Sequence, residues 1–180
     1  MRCLRFTLLP VLLVGVVLLV PTLLNAQGQP VELGIDGGLA ISFNGSTSTS
    51  FTLPFQSLRF GFFPSDAVSL EPAVSVNYVK IEEVDAIYTL GLDFGALLHF
   101  ISDRSRSQPY FRPFAGFQLL GAGGESVSQF HVGGGFGVKV PVANQLAVRL
   151  EAGFQHGFEN EDLSGGNSII AAVGLSFFTR

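Results

Sequence analysis

The chain has one cysteine, no tryptophan and three histidines in 180 residues. A single thiol, at Cys3, excludes an internal disulfide and the cysteine-rich zinc sets. No spacing of His, Cys, Asp or Glu matches a metal site, so no cofactor and no metal ligand is expected. Charge is scarce: 13% of residues are charged and 47% are apolar, against roughly 25% charged in an ordinary soluble domain. A net charge of −4 and the lack of a basic run leave no footprint for nucleic acid. The glycine-rich stretch Gly133-Gly134-Gly135-Phe136-Gly137 precedes no helical pattern, which excludes a phosphate loop. Beyond residue 26 no run of 18 apolar residues occurs, so no transmembrane helix is expected there.

What is present begins with a basic start, Met1-Arg2-Cys3-Leu4-Arg5, followed by a Leu/Val-rich run from Phe6 to Val20 and the segment Leu23-Leu24-Asn25-Ala26-Gln27. This is the pattern of a signal peptide over residues 1–26, cleaved after the small Ala26. Pro10, Pro21 and Ala26 favour cleavage over an uncleaved anchor. Cys3 precedes the apolar region and so is not a lipoprotein cysteine. The mature domain is then residues 27–180.

From Val31 onward the dominant signal has a period of two. Val31, Leu33, Ile35, Leu39, Ile41 and Phe43 alternate with Glu32, Gly34, Asp36, Gly38, Ala40 and Ser42. The same alternation sets Leu58, Phe60 and Phe62 against Ser57, Arg59 and Gly61, and Val68, Leu70, Val74, Val76 and Tyr78 against Ser69, Glu71, Ala73, Ser75 and Asn77. It is clearest at Tyr88, Leu90, Leu92, Phe94, Ala96, Leu98 and Phe100 against Thr89, Gly91, Asp93, Gly95, Leu97 and His99. Three further segments, about 111–119, 130–140 and 146–155, continue it, and Ile169 to Phe177 makes an eighth. Phe114 is an exception, falling on the polar parity. The expected fold is all-β: an eight-stranded antiparallel up-and-down transmembrane β-barrel. Its longer connections are expected at 44–50, 81–86, 121–128 and 157–167, and compact turns join the other ends.

Two kinds of barrel alternate in this way, and they differ in which face is wet. Here the polar parity is mostly Gly, Ala and Ser with single charges, a set small enough for a narrow interior. The other parity is bulky Leu, Val, Ile and Phe. An unpaired Arg or Lys at the lipid midplane costs about 2–4 kcal/mol, and Arg59, Arg112, Lys139 and Arg149 all share the small-residue face. The charged parity is therefore assigned to the lumen. Glu32, Asp36, Arg59, Glu71, Asp93, Arg112, Lys139, Arg149 and Glu151 form the expected lumen charge network. A hairpin centred on Ser65 would set Arg59 opposite Glu71, with Asp36 nearby. Such a network fills an eight-stranded barrel in preference to leaving a conducting pore.

The segments Leu70-Glu71-Pro72-Ala73-Val74-Ser75, Arg149-Leu150-Glu151-Ala152-Gly153-Phe154 and Val173-Gly174-Leu175-Ser176-Phe177 resemble the small outer-membrane barrels of Gram-negative bacteria, of OmpA-like and OmpX-like type, over residues 30 to 180. The resemblance implies location in the outer membrane, lipid and lipopolysaccharide as surroundings, insertion by the barrel-assembly machinery and a monomeric state. It departs in its girdle residues, since 18 Phe and only 3 Tyr replace the usual Trp and Tyr, and in Thr179 and Arg180, which follow the terminal aromatics Phe177 and Phe178.

No catalytic residue is assigned. Some outer-membrane barrels modify lipid A with a His beside Ser or an acid, and His156 lies near Glu159, Glu161, Asp162 and Ser164, but the spacing forms no triad. His99 and His131 face the lumen. Glu82, Glu83, Asp85, Glu125, Glu159, Glu161 and Asp162 fall in the expected external loops, where solvation is preferred to bridging of divalent cations. The function expected is a non-enzymatic membrane-integrity or surface role. Passage or binding of small solutes and lipid A modification are the alternatives.

Overall fold

The computed structural model describes residues 30–44, 46–79, 87–122, 125–160 and 163–179. The signal-peptide segment 1–26 and the acidic residues Glu82, Glu83, Asp85, Glu161 and Asp162 lie outside them. Eight antiparallel strands, β1 (Val31–Asn44), β2 (Ser46–Ser65), β3 (Val68–Val79), β4 (Ile87–His99), β5 (Gln108–Ala122), β6 (Glu125–Ala143), β7 (Leu146–Gly157) and β8 (Gly166–Phe178), close into a barrel in chain order. The closing β1–β8 ladder runs without a register break from Glu32↔Phe178 to Phe43↔Asn167. Thr179 extends it: its N–H donates to the Val31 carbonyl at 2.8 Å, and its hydroxyl accepts from the Val31 N–H at 2.8 Å. The sheet closes in chain order, with β2 pairing to β3 over Ser57–Ser65 and to β1 along most of its length.

The side-chain period assigns the two faces as the composition requires. Phe136 is 66% exposed and Phe94 54%, whereas Arg59 is 2% exposed and Glu71 1%. Leu33, Leu58, Leu98, Phe117, Leu150, Phe154 and Val173 also look outward. An exterior of Leu, Val and Phe around an interior of ions inverts the order of a water-soluble barrel.

Two expectations about the connections need correction. In the polar tract 44–50, Asn44 and residues 46–50 are ladder, not loop: Asn44 pairs with Ser46 and Ala40 with Ser50. Likewise Glu125 to Ser128 belong to β6, opposite Leu119 to Ala122. Serine and threonine runs mark aqueous surroundings, and β-branched threonine is a good strand former. Strands of 12 to 20 residues exceed the ~9–11 needed to cross a bilayer, so polar strand ends fit above the apolar band. Between Asp36↔Ser57 and Gly38↔Thr52 the register of β2 jumps. The extra residues include Pro54, which has no N–H to give the ladder.

The β2–β3 turn residues are Asp66 and Ala67, not a centre at Ser65, so Arg59 pairs with Ala73 and the expected cross-strand Arg59/Glu71 pair is shifted by two residues. At the β4–β5 turn, Asp103 accepts from the Ser105 hydroxyl at 2.6 Å and its N–H at 2.9 Å. These bonds hold the Asp103 carboxyl below its usual range.

Adjacent glycines on β6 test the assignment of faces. A Cβ on Gly133 would strike the Phe114 ring and the Phe154 carbonyl, whereas one on Gly134 would meet the Phe111 ring at 3.4 Å, an ordinary contact. Gly133→Ala is expected to cost about 1–3 kcal/mol by overpacking and Gly134→Ala less than about 0.5 kcal/mol, measured by unfolding in detergent micelles. Equal losses would mean that the faces are assigned wrongly.

Candidate functional site

The lumen is layered along the barrel axis. At the turn end lies a floor of ring and amide groups. Phe63, 2% exposed, stacks on His99 at 6.1 Å and meets Phe178 at 6.2 Å. His99 is also hydrogen-bonded through Nε2 to the Ser69 hydroxyl at 3.0 Å, and buried Gln108 donates to the Ile101 carbonyl at 3.1 Å. Arg104 covers the Phe63 ring at 4.3 Å.

Above the floor sits a connected network of ions. Glu71 is its centre: Lys139 Nζ reaches its Oε1 at 2.9 Å, Arg149 Nη1 its Oε2 at 2.6 Å and Arg59 Nη1 its Oε1 at 3.5 Å. Arg59 also pairs with Asp36, which accepts from both Nε and Nη2, and with Glu32 at 3.1 Å. Lys139 bridges to Glu32 at 2.5 Å. Arg149 pairs with Glu151, which in turn holds Arg112 at 2.5 Å and accepts from the Tyr110 hydroxyl at 2.8 Å. The four cations Arg59, Arg112, Lys139 and Arg149 thus balance the four acids Glu32, Asp36, Glu71 and Glu151.

Glycines on the facing strands make the space. The guanidinium of Arg59 lies where a Cβ of Gly34 would stand, and Arg112 covers Gly95 at 3.1 Å. Low dielectric strengthens each pair, and the many partners offset the desolvation cost that makes a lone buried pair unfavourable.

Eight of the nine residues expected in the lumen network are joined in it. Asp93 stands apart, paired with His131 Nε2 at 2.6 Å. The residues missed at sequence level are Tyr110, Ser176, which accepts from Arg59 Nη2 at 3.3 Å, and the rings Phe63 and Phe114. Tyr110 follows Pro109 at the start of β5, where contrast between the parities was weak. Phe114, the exception in the alternation, is buried and lies under Arg112 at 4.4 Å.

On the loop side of the network the lumen opens into a vestibule of about 400 Å³, whose walls include Asn77, Thr89, Asp93, Gln118 and Gln155 and whose rim carries Ser164 and Asn167. His156 does not belong to it. Its ring packs edge-on to Phe158 at 4.9 Å, and its Nδ1 is hydrogen-bonded to Asn167 at 2.8 Å. Among the described residues no group of His, Cys, Asp and Glu could hold a metal ion.

Removing one partner from the centre of the network strands charge. Glu71→Ala and Arg149→Ala are each expected to cost about 3–5 kcal/mol, and the double variant less than the sum, by about 0.5–3 kcal/mol of coupling. Additive losses in equilibrium unfolding would contradict the pairing. Asp66→Ala, which removes the exposed 3.8 Å contact to Arg104, is expected to change stability by no more than about 1 kcal/mol.

No protein-family model and no curated protein sequence matches the chain. Solved structures do. Neisserial surface protein A superposes with a TM-score of 0.56 at 16% identity, covering 84% of this chain and 97% of its own. Outer membrane protein OprG from Pseudomonas aeruginosa gives 0.54 at 10% identity, covering 85% and 96%. Ail, the attachment invasion locus protein of Yersinia pestis, gives 0.52 at 11% identity, covering 84% and 99%. At these identities the likeness shows the fold: this chain is a closed eight-stranded antiparallel barrel of the kind found in small outer-membrane proteins.

Proposed function

We infer that the chain is an exported, monomeric outer-membrane protein of a Gram-negative bacterium, without enzymatic activity, which contributes to membrane integrity or surface interaction. The observation that carries this reading is the inverted barrel: its exposed face is Leu, Val and Phe, and its ions are buried in the lumen. Such an exterior suits hydrocarbon, since in water these Leu, Val and Phe side chains would form one continuous exposed apolar surface, and a closed ladder of strands tolerates lipid on that side. The smooth β1–β8 seam and the terminal aromatics Phe177 and Phe178 suit insertion by the barrel-assembly machinery. The alternation and the quoted segments favour OmpA-like and OmpX-like barrels within this fold, with lipid and lipopolysaccharide as the surroundings and a signal peptide over residues 1–26 as the export element.

The lumen argues for a plug over a pore. Glu71, Lys139, Arg149 and Glu32, each 2% exposed or less, span the cross-section above a floor that includes Phe63 and Tyr110. Lipid A modification finds little support in His156, whose hydrogen bond goes to Asn167.

The full chain refolded in detergent is expected to migrate differently on gels with and without boiling, and a protein soluble and folded without detergent would overturn the membrane reading. In planar bilayers the wild type is expected to give no steady current. A stable open conductance would favour solute passage instead.

A further inference from the structure

We propose that the vestibule is a binding site for small organic cations, with Asp93 as counter-ion. Ion pairing divides the lumen carboxylates into two classes. Glu32, Glu71 and Glu151 are 0%, 1% and 2% exposed at their side chains and Asp36 11%, and all four are held by Arg or Lys. Asp93 is 25% exposed, lines the vestibule and, among the described residues, is ion-paired with His131 alone. The network below is balanced as a whole, four cations against four acids, and its Arg59, Arg112, Arg149, Asp36 and Glu151 also reach the vestibule.

The imidazole gives Asp93 a hydrogen bond without cancelling its charge. Among the described residues the buried His131 Nδ1 has no hydrogen-bond partner, so the neutral ring protonated at Nε2 is the form that strands no N–H. Arg112, which also reaches the vestibule, is committed to Glu151 through Nε and Nη2 at 2.9 and 2.5 Å. What remains accessible is a carboxylate in a cup with low-dielectric walls, which focuses its field.

The surroundings fit a small ammonium group. Gly116, opposite Asp93, and Gly91, two residues before it, place no side chain over the carboxylate. The Ser75 hydroxyl lies against Gly91, with Asp93 Oδ2 4.0 Å from where its Cβ would be. Asn77, Thr89, Gln118 and Gln155 add neutral donors and acceptors to the walls. A volume of about 400 Å³ is at the small end of ligand pockets, which span roughly 300–1,000 Å³. The site opens on the loop side and ends at the plug, so it captures without conducting.

The test is an NMR titration of the labelled full chain refolded in micelles, with methylammonium, acetate or glycerol at constant ionic strength set by sodium chloride. Methylammonium is expected to shift the amides of Gly91, Asp93, Gly116 and His131 saturably, and acetate and glycerol are not. Asp93→Asn is expected to weaken binding about ten-fold or more, from loss of a partly screened charge pair. Gln118→Lys, which adds an ammonium above the carboxylate, is expected to weaken it as well, so the outcome does not hang on one variant. Equal shifts with acetate, a linear unsaturated response, or binding that survives both substitutions would overturn the proposal. It goes beyond the membrane role, and gel migration separates the two: a chain that refolds but does not bind loses only this site.

Discussion

A carboxylate buried among three cations is the interaction on which the rest of this lumen depends. Glu71 is 1% exposed and joins Arg59, Lys139 and Arg149 into one cluster. Each cation would be costly to bury alone, and each brings a second acid: Asp36 or Glu32 for Arg59, Glu32 for Lys139, Glu151 for Arg149. The arrangement is self-consistent only when complete, since a half-satisfied network in low dielectric is less stable than an apolar core. The facing glycines follow from the same constraint. A barrel of eight strands has little interior volume, and long ionic side chains fit only where the opposite wall has no Cβ.

The exterior obeys a different solvent with the same logic. Phe94, Phe117, Phe136 and Phe154 are exposed on the parity opposite the ions. Phe pairs tile this face, Phe111 with Phe136 and Phe117 with Phe130, each at 4.9 Å. Near the loop end Phe130 stacks with Phe158 at 5.5 Å, and His156 sets its edge against Phe158.

The strand count, the chain-order topology and the identity of the lumen face were legible in the sequence because a period of two survives in every strand and each ion sits on the small-residue parity. Register was not legible. It depends on bulges, and a turn at Asp66–Ala67 in place of one centred on Ser65 moves Arg59 from Glu71 to Ala73. The long side chains still meet, because an arginine reaches across one step of the ladder, so the association of Arg59 with Glu71 held although its geometry did not. The partners of Tyr110, Phe63 and Phe114 are not legible for a related reason. A hydrophobic pattern tells which way a ring points but not which ion it lies beside. The polar strand ends at 46–50 and 125–128 were misjudged as loops because composition reports solvent, and solvent begins before the ladder ends.

The division of the lumen into a sealed half and an open half follows from where the cations are placed. Lys139 and Arg149 fall toward the turn end of β6 and β7, Arg59 pairs with Ala73, and together these cations hold Glu32, Asp36, Glu71 and Glu151. On β4 the inward positions after Thr89 are Gly91, Asp93, Gly95, Leu97 and His99, so this strand supplies one carboxylate and no Lys or Arg. Its neighbour across Gly116 is His131, which contributes a hydrogen bond in place of a full positive charge. Had Gly116 been Arg or Lys, Asp93 would have joined the plug and the cavity would have been filled. Two glycines and a histidine therefore leave Asp93 outside the plug, with its carboxylate on the vestibule wall.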